Sequence, residues 1–325
     1  MRNKALENRI FAGESITEFS DLALAVFHFQ YQHNTIYRDF CNTLGRAEPQ
    51  SVEDIPFLPI SFFKTHEVTC LKQTDSTIFL SSGTTKQVRS KHEIPFVEVY
   101  ERSFLDTYSS QIGSPEEHVV LALLPNYLTQ GNSSLVYMVD TLIKKTGSEL
   151  SGFYLDDFKS LVSALQKAKA TDRKVVLFGV SYALLDFCKL KPDCSNVLII
   201  ETGGMKGRRK ELLKEELHTL LSEGLNTELI SSEYGMTELL SQAYLNKDGW
   251  FYAPSWMKVL IRDLNDPLSY VKSQKTGAIN VIDLANLYSC SFIATDDLGI
   301  AEQNRFKVLG RVDYSEIRGC NLMVG

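Results

Sequence analysis

Between His118 and Ser232 the chain alternates short apolar runs with stretches patterned as helices, and no other feature narrows the fold so far. The apolar runs are His118–Leu124, Lys174–Gly179, Asn196–Glu201 and Glu228–Ser232, and helical patterning fills Ser133–Lys145, residues 156–169, Ser181–Lys189 and Lys206–Glu223. Strands that are apolar at nearly every position must be covered on both faces. With helices as the connections, the expectation is a parallel sheet sandwiched between helical layers. Upstream, residues 4–46 set Phe19, Leu22, Val26 and Phe27 at helical spacing. The prolines of Ile55-Pro-Phe-Leu-Pro-Ile60 force an extended path, and a helix is expected near 97–112. From Lys258 the texture turns to β, at Lys258–Asp263, Ala278–Asp283, Ser291–Thr295 and Arg305–Val308. The expected fold class is therefore α/β, a mixed body with a β-rich C-terminal part and no clear linker between them.

Composition closes off several functions. At 325 residues, 44% hydrophobic and 23% charged, the chain can bury a large core as a globular protein. A formal charge of −6 without a basic stripe argues against nucleic acid as a partner. No apolar run reaches the roughly 18 residues of a membrane span. The opening MRNKALENRIFAGESITEF lacks the apolar centre of a signal peptide, so a cytoplasmic location is expected. Cys41, Cys70, Cys188, Cys194, Cys290 and Cys320 are scattered without a C-x-x-C pair, which fits reduced thiols rather than a disulfide framework or a zinc module. Small molecules or another protein are the partners left.

Chemistry concentrates in a few segments. In Thr77-Ile-Phe-Leu-Ser-Ser-Gly-Thr-Thr-Lys86, a β-rich run breaks into a loop where Ser81, Ser82, Thr84 and Thr85 offer hydroxyls. Gly83 lets the backbone approach phosphate oxygens, although such clusters also serve as plain turns. Glu201-Thr-Gly-Gly-Met-Lys-Gly207 sets Gly203 and Gly204 at a strand's carboxyl end, where a flat ligand can lie against the backbone; a tight strand-to-helix turn would use the same glycines. In Ser231-Ser-Glu-Tyr-Gly-Met-Thr-Glu238, Tyr234 can stack on a base and Thr237 can bond a phosphate oxygen. Glu238 can ligate Mg²⁺, which accepts one carboxylate beside substrate phosphates, or be an ordinary acid at a helix N-terminus. Asp297, in Ser291-Phe-Ile-Ala-Thr-Asp-Asp-Leu-Gly299, suits two ribose hydroxyls or a simple turn. Near the end, Arg311 can reach a phosphate or ribose oxygen. Cys320 gains reactivity if Arg318 lowers its pKa, and is otherwise a small packing residue. Lys86, Arg89, Lys91 and His92 add positive charge after the loop or form a solvated turn, the latter preferred for Arg89.

In this order, the segments resemble the adenylate-forming superfamily of acyl- and aryl-CoA ligases, firefly luciferase and peptide-synthetase adenylation domains. Ser81-Ser-Gly-Thr-Thr85 matches its phosphate loop, though Lys86-Gln-Val-Arg-Ser-Lys91 departs from the usual continuation. Thr202-Gly-Gly204 matches the adenine-pocket glycines, Tyr234-Gly-Met-Thr-Glu238 the Y-G-x-T-E motif, and Asp297 the ribose aspartate. Gly310-Arg-Val-Asp313 matches the hinge, with Arg311 in the nucleotide-contacting place. From about residue 50 to the end the closer similarity is to LuxE acyl-protein synthetases, through Ile55–Ile60 with Phe63-Lys64, Leu124-Pro-Asn-Tyr127, Ser133-Ser-Leu-Val-Tyr-Met138, Glu201–Gly207 and Arg318-Gly-Cys320.

The resemblance implies the large-domain fold of adenylate-forming enzymes. Superfamily members continue past the hinge into a small mobile domain with a catalytic lysine, whereas this sequence ends at Gly325. One domain is expected over 1–325, comprising a helical lead-in (1–50), an α/β body (51–255), a β-rich subdomain (256–310) and a truncated hinge with a cysteine tail (311–325). The implied cofactors are ATP and Mg²⁺, with Glu238 as metal ligand. The nucleotide would be bound by Ser81, Ser82, Gly83, Thr84, Thr85, Gly203, Gly204, Tyr234, Gly235, Asp297 and Arg311, with Thr237, Glu238 and Cys320 catalytic. The implied reaction activates a carboxylic acid, a fatty acid in this family, to an acyl-adenylate and transfers it to a thiol, with Cys320 as candidate. A CoA or carrier-protein acceptor, an acyl-accepting reductase partner, and a scaffold that binds ATP without turnover are the alternatives. Tyr127, Tyr137, Phe178, Val180 and Tyr182 are acyl-pocket candidates that could equally pack the core.

Overall fold

The computed structural model describes residues 2–12, 16–72, 74–82, 88–125, 131–203, 212–271 and 274–312. Three helices, α1 (Lys4–Ile10), α2 (Ile16–His33) and α3 (Thr35–Thr43), precede β1 (Leu58–Pro59) and α4 (Phe62–Thr65). A hairpin of β2 (Thr77–Leu80) and β3 (Lys91–Ile94) flanks the Ser/Thr/Gly loop and leads into α5 (Val97–Gln111). The alternation follows as β4 (His118–Leu123), α6 (Ser134–Thr146), β5 (Gly152–Phe153), α7 (Phe158–Lys169), β6 (Lys174–Val180), α8 (Ser181–Phe187), β7 (Val197–Thr202), α9 (Lys214–Leu225) and β8 (Ile230–Tyr234). The remainder is β9 (Ala243–Leu245), β10 (Phe251–Tyr252), β11 (Met257–Arg262), β12 (Gly277–Asp283), β13 (Phe292–Glu302) and β14 (Arg305–Arg311). No helix among the described residues is long and apolar enough to cross a membrane.

The apolar runs pair as the sequence predicts. Strands β5, β4, β6, β7 and β8 lie parallel in that spatial order, and every residue of β4 is buried. Helix ends are set by local chemistry. Ser133 caps α6, which stops at Gly147 in the left-handed region (φ 59°), and Asp157 accepts from the Ser160 N–H at 3.0 Å to start α7.

Antiparallel β9 and β10 extend the parallel half, β10 joins β14, and the sheet continues through β13 and β12 to β11. The two textures seen in the sequence therefore share one sheet. Strands β13 and β14 run further than expected, so Asp296-Asp297-Leu298-Gly299 lies within β13 and is not a turn; a register shift falls at Leu298/Gly299. Helix α9 begins at Lys214, later than the expected Lys206, while residues 204–211 lie outside the described set.

The N-terminal helices are joined to the body by polar contacts. Gln30 Nε2 donates to the carbonyls of Asn286 (3.0 Å) and Leu287 (3.1 Å), and its Oε1 accepts from the Ser291 N–H. Asn34 donates to the Ser289 carbonyl at 2.8 Å, and the Tyr288 hydroxyl donates to Glu7. All of these contacts fix the 284–291 turn between β12 and β13.

Candidate active site

A cleft of about 2080 Å³ opens where the carboxyl ends of β7 and β8 meet β13, β14 and the loop after β2. Ser81, Ser82, Gly203, Tyr234, Gly235, Thr237, Glu238, Asp297 and Arg311 all line it, although they come from segments far apart in sequence. Gly83, Thr84, Thr85, Gly204 and Cys320 lie outside the described residues, as do Tyr127, Asp313 and Arg318.

At one end, the Tyr234 hydroxyl donates to Asp297 Oδ2 at 2.9 Å. The exposed Arg311 guanidinium sits 3.6 Å from the other carboxylate oxygen. Burial raises the Asp297 pKa, while the Tyr234 hydrogen bond and the Arg311 charge oppose that rise. The Tyr234 ring is buried edge-on against Phe306, centroids 5.1 Å apart, so its visible contribution is to hold Asp297. Asp297 keeps its Oδ1 edge toward Arg311 and the cleft mouth, an acceptor placed for hydroxyl donors.

The other end is built on Glu238. No helix follows it: Thr237–Glu238 form a turn and the chain to residue 242 is irregular, so Glu238 is not an acid at a helix N-terminus. Asp283 organises this segment, since its Oδ2 accepts the Leu240 and Ser241 N–H groups (2.8 and 2.9 Å) and its Oδ1 accepts the Ser241 hydroxyl (2.6 Å). Asn286 donates to the Glu238 carbonyl at 2.7 Å. The Glu238 side chain is buried, which raises its pKa, with a Ser90 hydrogen bond acting against the shift. Among the described residues no group of three or more His, Cys, Asp or Glu is placed to hold a metal. A lone buried carboxylate beside the loop that begins at Ser81 would suit Mg²⁺, which can take one protein carboxylate when phosphates and water supply the rest.

Two expectations for the loop's flank are corrected. Arg89 is not a solvated turn residue, because its guanidinium donates to the carbonyls of Ser81 and Leu80. With the Ser81 N–H bonded to the Ser90 carbonyl (3.0 Å) and the Ser90 N–H to Ser81 Oγ (2.8 Å), it closes the base of the loop. His92 adds no positive charge. Its Nδ1 lies 2.7 Å from the Thr237 carbonyl, which can only accept, so Nδ1 carries the proton. Nε2 then accepts the Ser289 hydroxyl at 2.9 Å, and burial lowers the ring's pKa to about 4. His92 thus ties the β2–β3 hairpin to the Thr237-Glu238 segment and to the 284–291 turn. The sequence reading missed this tie, along with Asp283 and Asn286, since their value lies in partners more than forty residues away.

Two further buried carboxyls sit at the ends of β7 and β8. Glu201 accepts from Ser181, Ser232 and the Lys214 ammonium, and His218 bonds the same Ser232 hydroxyl at 2.8 Å. Glu233 accepts from the Thr202 hydroxyl, and burial raises its pKa to about 7.

The family model described as acyl-protein synthetase, LuxE, matches residues 14–325. A long-chain-fatty-acid–luciferin-component ligase of Vibrio harveyi is 23% identical over 331 residues, which cover 93% of this chain and 86% of that protein. Among solved structures, 2-hydroxyisobutyryl-CoA ligase in complex with 2-HIB-AMP and CoA superposes with a TM-score of 0.70 at 12% identity, over 94% of this chain and 70% of that one. ATP-bound MatB from Rhodopseudomonas palustris gives 0.53 at 19% identity over 72% of this chain, which spans only 47% of MatB's length. At such identities the solved structures establish the fold, that of adenylate-forming enzymes. The match over residues 14–325 goes further, and the chain belongs to the acyl-protein synthetase family, LuxE, a family of ATP-dependent ligases.

Proposed function

We propose that the cleft activates a fatty acid with ATP and passes the acyl group to a thiol, the chain's own Cys320. The observation that carries this reading is the convergence of Ser81, Glu238 and the Tyr234–Asp297 pair on one cleft. A carboxylate oxygen attacks the α-phosphorus, pyrophosphate leaves, and an acyl-adenylate forms. No strong base is required, because the acid is already ionised at neutral pH. Asp297 would accept the ribose hydroxyls, held in place by Tyr234, and the Ser81–Ser82 backbone and hydroxyls would bind phosphate oxygens. Glu238 would hold Mg²⁺ together with substrate phosphates, and that ion supplies charge neutralisation at the phosphates.

In the second step a thiolate attacks the acyl carbon and AMP departs. The described thiols suit this poorly. Cys41, Cys70, Cys194 and Cys290 are buried with pKa values raised by that burial, and Cys188 does not line the cleft. Cys320 lies eight residues beyond Val312 (320 minus 312), next to the cleft-lining Arg311. At up to about 3.3–3.6 Å per residue such a tether spans up to about 29 Å. The test is carboxylate-dependent ATP–pyrophosphate exchange, followed by labelling with radioactive acid. Cys320→Ala should keep exchange and lose hydroxylamine-sensitive label on the protein. Label persisting on that variant, or adenylate discharging only onto added CoA or a carrier protein, would assign another acceptor.

A further inference from the structure

We propose that Glu233 and Gln242, on the cleft wall, recognise a hydrogen-bond donor, a hydroxyl or an amine, carried on the chain of the acid. The inference rests on the adenylating reading above and narrows its substrate. Side chains alternate across a strand, so Glu233 leaves β8 on the face opposite to Tyr234 and Asp297. There it meets Thr202, and its charge is felt by the hydroxyls of Tyr100 and Tyr244. Register pairs Glu233 with Tyr244, which puts Gln242 on the same face, and Tyr100, Met138, Glu233 and Gln242 all line the cleft.

Glu233 and Gln242 both border Gly235. A Cβ added at Gly235 would fall 2.1 Å from Glu233 Oε1 and 3.4 Å from Gln242 Cγ, so the bare backbone is what lets the carboxyl lie there. The group leaves two buried polar atoms unpartnered among the described residues, Gln242 Oε1 and the Tyr244 hydroxyl, and a ligand hydroxyl or amine can donate to the first. Gln242 is buried, and its Oε1 has no hydrogen-bond partner among the described residues. The cation acting on Glu233 is Lys214, whose ammonium is already bonded to Glu201. A buried acceptor left unpaired carries a free-energy penalty that a ligand's donor removes. An unsubstituted alkyl chain laid here would leave Gln242 Oε1 unpaired and Glu233 with only its Thr202 bond, whereas a hydroxyl or ammonium would supply the missing donor.

The experiment compares decanoate, 3-hydroxydecanoate and 3-aminodecanoate, and the matching butyrate series, in ATP–pyrophosphate exchange. One functionalised acid should exceed its plain counterpart in kcat/KM by about 10- to 100-fold. Glu233→Leu and, separately, Gln242→Leu should erase that preference while KM for ATP moves less than about twofold. Glu233→Gln, which keeps an acceptor, should retain the hydroxyl preference. Calorimetric binding of each acid with a non-hydrolysable ATP analogue provides a readout independent of turnover, and unfolding curves confirm that the variants fold. A plain acid equal to or better than its functionalised partner would overturn the inference while leaving adenylation standing. So would a Glu233→Leu effect confined to KM for ATP, which would assign the carboxyl to the nucleotide. Exchange with no acid at all would remove both readings.

Discussion

His92 offers a test of the site's framework through proton linkage. The ring is buried and neutral, donating to the Thr237 carbonyl and accepting from Ser289. Its pKa falls from 6.5 to about 4 on folding, with burial the larger cause and the Thr237 hydrogen bond opposing it. Between those values the unfolded chain binds a proton that the folded chain refuses, so stability contributed by the neutral ring is lost as pH drops from 6.5 toward 4. The full loss is about 3 kcal/mol, from roughly 1.4 kcal/mol per pKa unit. Asparagine at this position presents an amide N–H near the place of Nδ1 and does not titrate. At pH 7.5, His92→Asn should cost about 1–3 kcal/mol for the lost Ser289 bond and the smaller volume, and His92→Ala about 3–5 kcal/mol. Urea unfolding from pH 7.5 to 4.5 should show the gap between wild type and His92→Asn shrinking steadily as pH falls. Other titrating groups are common to both proteins and drop out of the difference. A gap that stays constant with pH would refute the neutral, two-bond assignment.

Glu238→Gln should depress pyrophosphate exchange by about two orders of magnitude or more while ATP still binds; unchanged exchange would refute the proposed Mg²⁺ role of Glu238. Tyr234→Phe deletes one hydrogen bond to Asp297 and should raise KM for ATP about 5-fold, with little change in kcat, as steady-state kinetics at saturating acid would show. Gly235→Ala brings a methyl into Glu233 Oε1 and should lower stability by about 1–3 kcal/mol, measured as a shift of the urea midpoint.

Four of the parallel strands, β4, β6, β7 and β8, were legible because burial on both faces leaves a continuous apolar run, whereas the two-residue, half-buried β5 gave no such signal. The nucleotide-site candidates stand out in the sequence because Ser81–Thr85, Tyr234–Glu238 and Asp297 keep local patterns in a set order, and Ser81, Ser82, Tyr234, Gly235, Thr237, Glu238 and Asp297 share one cleft. Strand β13 was harder to delimit. Asp296 and Asp297 look like turn residues, and what keeps them extended is pairing of Asp297 with Arg311 of β14 and the Val312 N–H bond to the Asp296 carbonyl. The support beneath the site was not legible at all. His92 read as positive charge or a solvated turn, and Glu238 as a Mg²⁺ ligand or a helix N-terminal acid, yet what positions each is a partner elsewhere: Thr237 and Ser289 for His92, Asp283 and Asn286 for the segment carrying Glu238. Side chains of this kind carry no periodicity, so only the folded chain shows where their hydrogen bonds go.

The anchoring of α2 and α3 onto the 284–291 turn also sets a timetable for synthesis. Gln30 and its acceptor at Asn286 are 256 residues apart, so the helices made first must wait for nearly the whole chain before their polar partners exist. Contacts of such sequence separation slow folding, because the loop-closure entropy is met before any reward arrives. A nascent chain stalled before β12 would hold Gln30 and Asn34 without their acceptors and Glu238 without Asn286 and Asp283 beneath it. Such a product would be inactive and adhesive, a natural client for chaperones on the ribosome.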